Sequence, residues 1–299
     1  MADAPTISIV VPTFARPAQL RRCLEGIARL EAATSSFEVI VVDDGGPEPL
    51  DALVASSADG LDIRLIRQTR GGPAAARNAG AALARGVFLA FMDDDCAPAP
   101  DWLSALLREL ERDDRRLLGG RVENALVDNP YSSASEHISR FVYEYNRTVG
   151  AREPFFTTNN IALATDLFRV VGGFATSIPS ATAEDKEFCN RWVAHGLALA
   201  HVPSVVVHHA HELTFAPFLR QHFNYGRGIL TFRLIRRRRA ESTFIPEPLR
   251  FYVGLVLSPM RCPSPVGRWR LTALVVAAQL AIIAGALREA LTRPWLARA

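Results

Sequence analysis

The sequence predicts an α/β fold: a mostly parallel central sheet flanked by helices, with a helical C-terminal tail. Three observations predict it. Short β-branched runs alternate with helical stretches through the first third of the chain. Two of those runs end in clustered aspartates. Beyond residue 235 the chain turns basic and apolar. The reading is therefore one domain over residues 1–235 and a tail over 236–299.

Each element has its own signal. Ile7–Pro12 is an apolar run but for Ser8, as a strand buried on both faces requires. Pro17 opens a helix in which Leu20, Leu24 and Ile27 recur at helical spacing. Phe37–Val42 is the second strand and ends in Asp43, Asp44, Gly45 and Gly46. A short helix is expected over Pro49–Ser57 and a third strand over Ile63–Ile66. Gly71, Gly72 and Pro73 turn the chain into an Ala-rich helix, and Val87–Met92 is a fourth strand ending in Asp93, Asp94 and Asp95. Pro98 and Pro100 then lead into a helix around Trp102–Leu110. This cadence implies parallel pairing with right-handed crossovers. Ligands of such sheets bind at the carboxyl ends of the strands, so both acidic clusters fall on the ligand edge.

The middle of the chain is less regular. Leu117–Asn124 reads as a strand, Tyr131–Arg147 as a helix, Phe155–Ala164 as strand or loop, and Glu184–His195 as a helix. Leu197–His208 is strand-like and is followed by His209 and His211, which strict alternation would place on one face. Thr214–Arg236 is expected as a helix broken near Gly226 and Gly228.

Composition bounds the function loosely. The 299 residues are 49% hydrophobic and carry a formal net charge of +3, so global charge selects no polyanion and no nucleic-acid partner is expected. Nearly every basic residue is arginine, a coding bias that points to a bacterial source. Cys23, Cys96, Cys189 and Cys262 are far apart with no C-x-x-C pair, which argues against a disulfide framework or zinc site and favours a reducing compartment. The N-terminus reads as having no signal peptide, so the expected location is cytoplasmic. No G-x-G-x-x-G follows the first strand, which disfavours a dehydrogenase. A nucleotidyltransferase would show a Gly-rich phosphate loop where this chain has Pro12–Pro17.

Three carboxylates in a row repel one another unless a cation neutralises them. Hard divalent ions suit such oxygens together with substrate phosphates, although Asp after a strand also serves as a simple turn residue. Asp93 and Asp95 would point one way and Asp94 the other if strand geometry persisted. Asp43 can accept hydrogen bonds from a base or ribose, or merely begin an Asp-Gly turn. Glu184 and Asp185 open a helix, either as first-turn acids or with one as a general base. Gln221–Gly228 is either an acceptor-contacting segment or an amphipathic helix end.

Together these motifs resemble glycosyltransferase family 2: Ile9–Pro17 (IVVPTFARP), Val41–Gly46 (VVDDGG), Ala76–Gly80 (ARNAG) and Phe91–Asp95 (FMDDD), then Thr158–Asn160, Gly172–Phe174 and Glu184–Asp185. The resemblance implies an A-type glycosyltransferase fold, with a nucleotide-binding half over 1–125 and an acceptor half over 126–235. It also implies inversion at the anomeric carbon. Thr13, Arg16, Asp43, Asp44, Arg77, Asp93 and Asp94 would line the nucleotide-sugar donor. Asp95, with Asp93 and either His209 or His211, would hold Mg²⁺ or Mn²⁺, and Asp185 would be the base. Gly46 stands where the family usually has serine, removing a hydroxyl donor. Gln221–Tyr225 lacks the Gln-x-x-Arg-Trp motif of processive members. A non-catalytic scaffold of the same fold is disfavoured by intact Asp43, Asp95 and Asp185.

In the tail, Leu271–Leu287 is uncharged and spans roughly 25 Å as a helix, slightly less than a bilayer core of about 30 Å. Arg236–Arg239, Arg268, Arg270 and Arg288 flank it and the apolar run Phe251–Leu257. The expected partners are therefore a saccharide or lipid-linked acceptor and a membrane surface, at the inner face of the cell membrane.

Overall fold

The computed structural model describes residues 4–31, 37–57, 60–149, 155–178, 183–238 and 247–292. They fall into two compact units: Met1–Glu123 with Pro154–Thr176 and Glu184–Ala210, and Asn124–Glu153 with Ser177–Ala183 and His211–Ala299.

Along the chain run β1 (Ile7–Thr13), α1 (Pro17–Ala28), β2 (Phe37–Asp43), α2 (Asp51–Ser57), β3 (Ile63–Arg67), α3 (Pro73–Ala82) and β4 (Phe88–Phe91). Then come β5 (Cys96–Pro98), α4 (Trp102–Arg112), β6 (Arg116–Asn124), α5 (Pro130–Val149), β7 (Ile161–Ala164), α6 (Thr165–Val171), α7 (Glu184–Ala194) and β8 (Ala198–His209). The chain continues with α8 (Phe215–Arg238), α9 (Leu249–Leu257) and α10 (Arg268–Thr292). The sheet order is β3-β2-β1-β4-β7-β6-β8-β5. β3, β2, β1 and β4 are parallel, while β7 runs antiparallel to β4 and β6, and β5 antiparallel to β8.

Strand alternation divides the core into two layers. Ile9, Val11, Val39 and Val41 face α1 and α4, meeting Leu20, Leu24, Trp102 and Leu106. Val10, Ile40, Val42 and Phe91 face the other way, onto Phe168, Phe174, Phe188 and Trp192. Burial on both faces is why β1, β2 and β4 read as largely apolar runs, interrupted only by the buried, hydrogen-bonded pair Ser8 and Glu38 before the strand ends. Gly80 lets α3 settle on β1, since a Cβ there would lie 2.4 Å from Val10 Cγ1.

Two elements depart from expectation. Residues 96–98 form a strand rather than a lead-in to a helix. Pro98 is tolerated because β5 is the last strand of the sheet, where one side needs no ladder bond. In the second unit α8 is continuous through Gly226 and Gly228. Its glycine instead admits α10: a Cβ on Gly226 would lie 1.9 Å from the Ile282 carbonyl, and one on Gly285 1.9 Å from the Phe223 carbonyl. Beside this crossing Arg227 Nε donates to buried Glu289 at 2.9 Å. Arg239, the last arginine of the basic cluster, lies outside the described residues.

Candidate active site

Parallel pairing brings Thr13, Asp43 and Arg67, the last residues of β1, β2 and β3, into register at one sheet edge. Asp43 is fully buried. It accepts from the Gly46 amide at 2.8 Å and from Arg67 Nε at 2.9 Å. Asp44 reaches the next loop, accepting from Gln68 Nε2 at 2.7 Å and from the amides of Gly71 and Gly72 at 2.7 and 2.8 Å. The two aspartates thus fix both turns that close this edge, and Gly45 turns the chain with φ +81°. A Cβ on Gly46 would lie 2.9 Å from Asp43 Oδ1 and 3.3 Å from the Ala15 amide, so a serine there would crowd the Asp43 carboxylate. Phe14 lies under Arg70, whose guanidinium carbon is 4.0 Å from the ring centre.

After Phe91 the chain leaves the strand, and alternation does not carry into the acidic triad. Asp93 turns to Arg77. Asp94 and Asp95 instead share one donor, Arg16 Nη1, at 3.2 and 3.1 Å. Thr13 also donates to Asp94, at 2.7 Å. Burial pushes the Asp94 carboxyl up to about 6, against the opposing pull of Arg16 and Thr13.

Asp95 faces His209, with Oδ1 3.1 Å from Nε2. The β5–β8 pairing makes this contact, since it sets Cys96 opposite His209. Burial alone would lower the imidazole. The hydrogen bond and charge of Asp95 override it and raise His209 above its ordinary value. Among the described residues, Asp95, Cys96 and His209 form the one group whose donor atoms lie together, all within 4.8 Å. Burial holds the Cys96 thiol far above its ordinary range, so it stays protonated and ill suited to a hard ion. The carboxylate oxygen and imidazole nitrogen are donors that fit a divalent cation such as Mn²⁺ or Mg²⁺. Strand β8 ends at His209, so alternation does not extend to His211. That residue opens the last segment of the second unit, where its carbonyl accepts the Ser132 hydroxyl.

Arg77 is buried in α3 and joins the two acidic motifs. Nη2 donates to Asp93 at 2.6 Å and Nη1 to Glu184 at 3.2 Å. Asp185 follows Glu184 in the first turn of α7. Its carboxyl is pushed up to about 7, first by desolvation and then by the Glu184 charge, while the Lys186 amide, Arg77 and Lys186 oppose the rise. The Gly172–Phe174 turn is held from both sides. Asn78 bonds the Phe174 amide and carbonyl at 2.8 Å each, and Arg191 donates to the carbonyls of Val171 and Gly173. Asn160 ties the sheet together. It accepts from Trp102 Nε1 at 2.9 Å and donates to the carbonyls of Arg121 and Val205 at 3.0 Å. Gln221–Gly228 lies wholly within α8, and His222 is buried there against the Phe218 ring.

Sequence reasoning did not single out Arg67 or Gln68, named Cys96 only as one of four scattered cysteines, and carried Asn78 only within the Ala76–Gly80 motif, with no role of its own. The first two were legible only through the β2–β3 register, and Cys96 only through a strand too short to recognise.

Comparison with known proteins gives the family and the fold. Residues 8–176 match the family described as Glycosyl transferase family 2. Glycosyltransferase AglE of Haloferax volcanii is 26% identical over 243 residues, covering 80% of this chain and 78% of that protein. The pre-mycofactocin glycosyltransferase of Mycobacterium tuberculosis is 27% identical over 283 residues, covering 91% of this chain but only 55% of that longer protein. Among solved structures, mannosyltransferase PcManGT of Pyrobaculum calidifontis, in complex with GDP-Man and Mn²⁺, shares the fold. Its TM-score is 0.64 at 20% identity, over 99% of this chain and 81% of that one. An A-type fold carrying the motifs of a sugar-transferring family leaves one assignment: the chain belongs to glycosyl transferase family 2 and is a glycosyltransferase.

Proposed function

We propose that the chain transfers a sugar from a nucleoside-diphosphate sugar to a hydroxyl acceptor, with inversion and with a divalent metal. The observation that carries this reading is Arg77. One buried guanidinium joins Asp93 of the acidic triad to Glu184, the neighbour of Asp185. Donor site and base therefore belong to one ion network.

Asp95 and His209 are the residues that would hold Mn²⁺ or Mg²⁺, with Asp93 and Asp94 beside them; His211 is not needed for this set. The Mn²⁺ and GDP-Man of the PcManGT complex support the choice of ligand class. Bound there, the ion would neutralise the donor's diphosphate as it departs. Thr13 and Arg16 orient the carboxylates of Asp94 and Asp95. Asp43 and Asp44 hold the turns against which the nucleoside lies. Asp185, poised near 7, takes the proton from the acceptor hydroxyl as that oxygen attacks the anomeric carbon opposite the nucleotide. One displacement of this kind inverts the centre. The acceptor we assign is a saccharide or lipid-linked hydroxyl of cell-envelope, polysaccharide or glycolipid synthesis, a choice supported by the long apolar helix α10.

Thermal-shift titration with UDP, GDP, dTDP, CDP and ADP, with and without Mn²⁺, tests the donor site. One nucleotide is expected to raise the melting temperature, only with metal, and not in Asp95→Ala. No shift with any nucleotide, or a full shift in Asp95→Ala, overturns the assignment.

A further inference from the structure

Helix α10 has two unlike faces. One packs within the second unit: Leu271, Leu274, Val275 and Ala278 are buried, Gly285 meets the backbone of α8, and Glu289 is buried against Arg227. The other is apolar and open. Val276, Leu280, Ile283, Leu287 and Leu291 recur every three or four residues and are exposed, Leu291 by 80%, while Trp269 at the start of the helix is exposed by 74%. No charged residue lies between Arg270 and Arg288. The helix is long and apolar enough to cross a membrane, yet only 28% of its most apolar window is buried within the chain. A core helix would be covered on all sides. Helix α9 adds exposed Tyr252 and Leu257.

We infer that this face docks on an anionic bilayer, with α10 lying in the plane of the interface. Charge selects the partner. Residues 247–292 carry Arg250, Arg261, Arg268, Arg270 and Arg288, against Glu247 and the buried, paired Glu289. Arginines at both ends of an apolar stripe, with an exposed tryptophan between two of them, suit acidic headgroups around an embedded apolar strip. A second copy of the chain fits less well. Paired in parallel or antiparallel, two such stripes bring arginine ends against arginine ends. Packing selects the orientation. α10 lies along α8, so drawing it across the bilayer would break that contact or carry Arg227, Glu289 and His222 into hydrocarbon.

The test is co-sedimentation of the full chain with vesicles, which reads binding and not turnover. It is therefore independent of the roles assigned to Asp95 and Asp185. The chain is expected to sediment with phosphatidylcholine–phosphatidylglycerol vesicles, weakly with phosphatidylcholine alone, less at high salt, and to be released by alkaline carbonate. Leu280→Glu with Ile283→Glu, both at exposed sites, should leave the melting temperature unchanged and weaken capture by at least about tenfold. Arg268→Ala with Arg270→Ala should weaken it by about fivefold per arginine. Three results overturn the inference: no capture by acidic vesicles, retention through carbonate as a spanning helix would show, or a dimer in solution that the two glutamates dissociate.

Discussion

Arg77 concentrates the electrostatics of the site in one side chain. It is buried, and its charge is held by Asp93 and Glu184 against the desolvation that would otherwise lower its pKa. Removing it would leave two carboxylates facing each other without a cation. Breaking a buried pair from one side costs about 3–5 kcal/mol. Arg77→Ala is therefore expected to lose stability of that order in denaturant melts, whereas Arg77→Lys keeps the charge and loses less. Equal stability of Arg77→Ala and wild type would contradict the network. Asp185 is perturbed in the opposite sense. Its folded carboxyl stands near 7 rather than 3.8, so its contribution to stability is present below its ordinary value and is lost as pH rises through about 7. The same shift leaves it able to gain and lose a proton near neutrality, as a base requires.

At the scale of elements, glycine determines how α8 and α10 meet. A helical glycine costs about 1 kcal/mol relative to alanine, so local sequence reads Gly226 as a break. The structure places it instead where two backbones touch. Gly285→Ala, good for the helix in isolation, is thus expected to destabilise the second unit by about 1–3 kcal/mol through overpacking. A melting temperature at or above wild type would show that the helices can part freely. This marks the boundary of what the sequence discloses. Strands β1 to β4 and their acidic ends were legible because apolar period and strand termini are local properties. The partner Arg67 for Asp43 was not, because it is set by the register between two strands. His209 was expected beside Asp95 only as an alternative to His211 through the family resemblance, and the β5–β8 register is what brings it there. Strand β5 escaped notice for a related reason: three residues ending in proline carry no periodic signal, and only the β8 edge makes them a strand.

For the whole molecule, family membership and fold establish a glycosyltransferase. Beyond that, we propose that Asp185 acts as base, beside the Glu184 that Arg77 ties to Asp93. The pH–rate profile of donor hydrolysis, compared between wild type and Asp185→Asn with the nucleotide and metal identified by thermal shift, tests it most directly. Wild-type turnover is expected to rise with pH through a midpoint near 7. Asp185→Asn is expected to bind the nucleotide unchanged, turn over about 10²- to 10⁴-fold more slowly and lose that rise. An asparagine variant that keeps both the wild-type rate and the rise near neutrality would contradict the account.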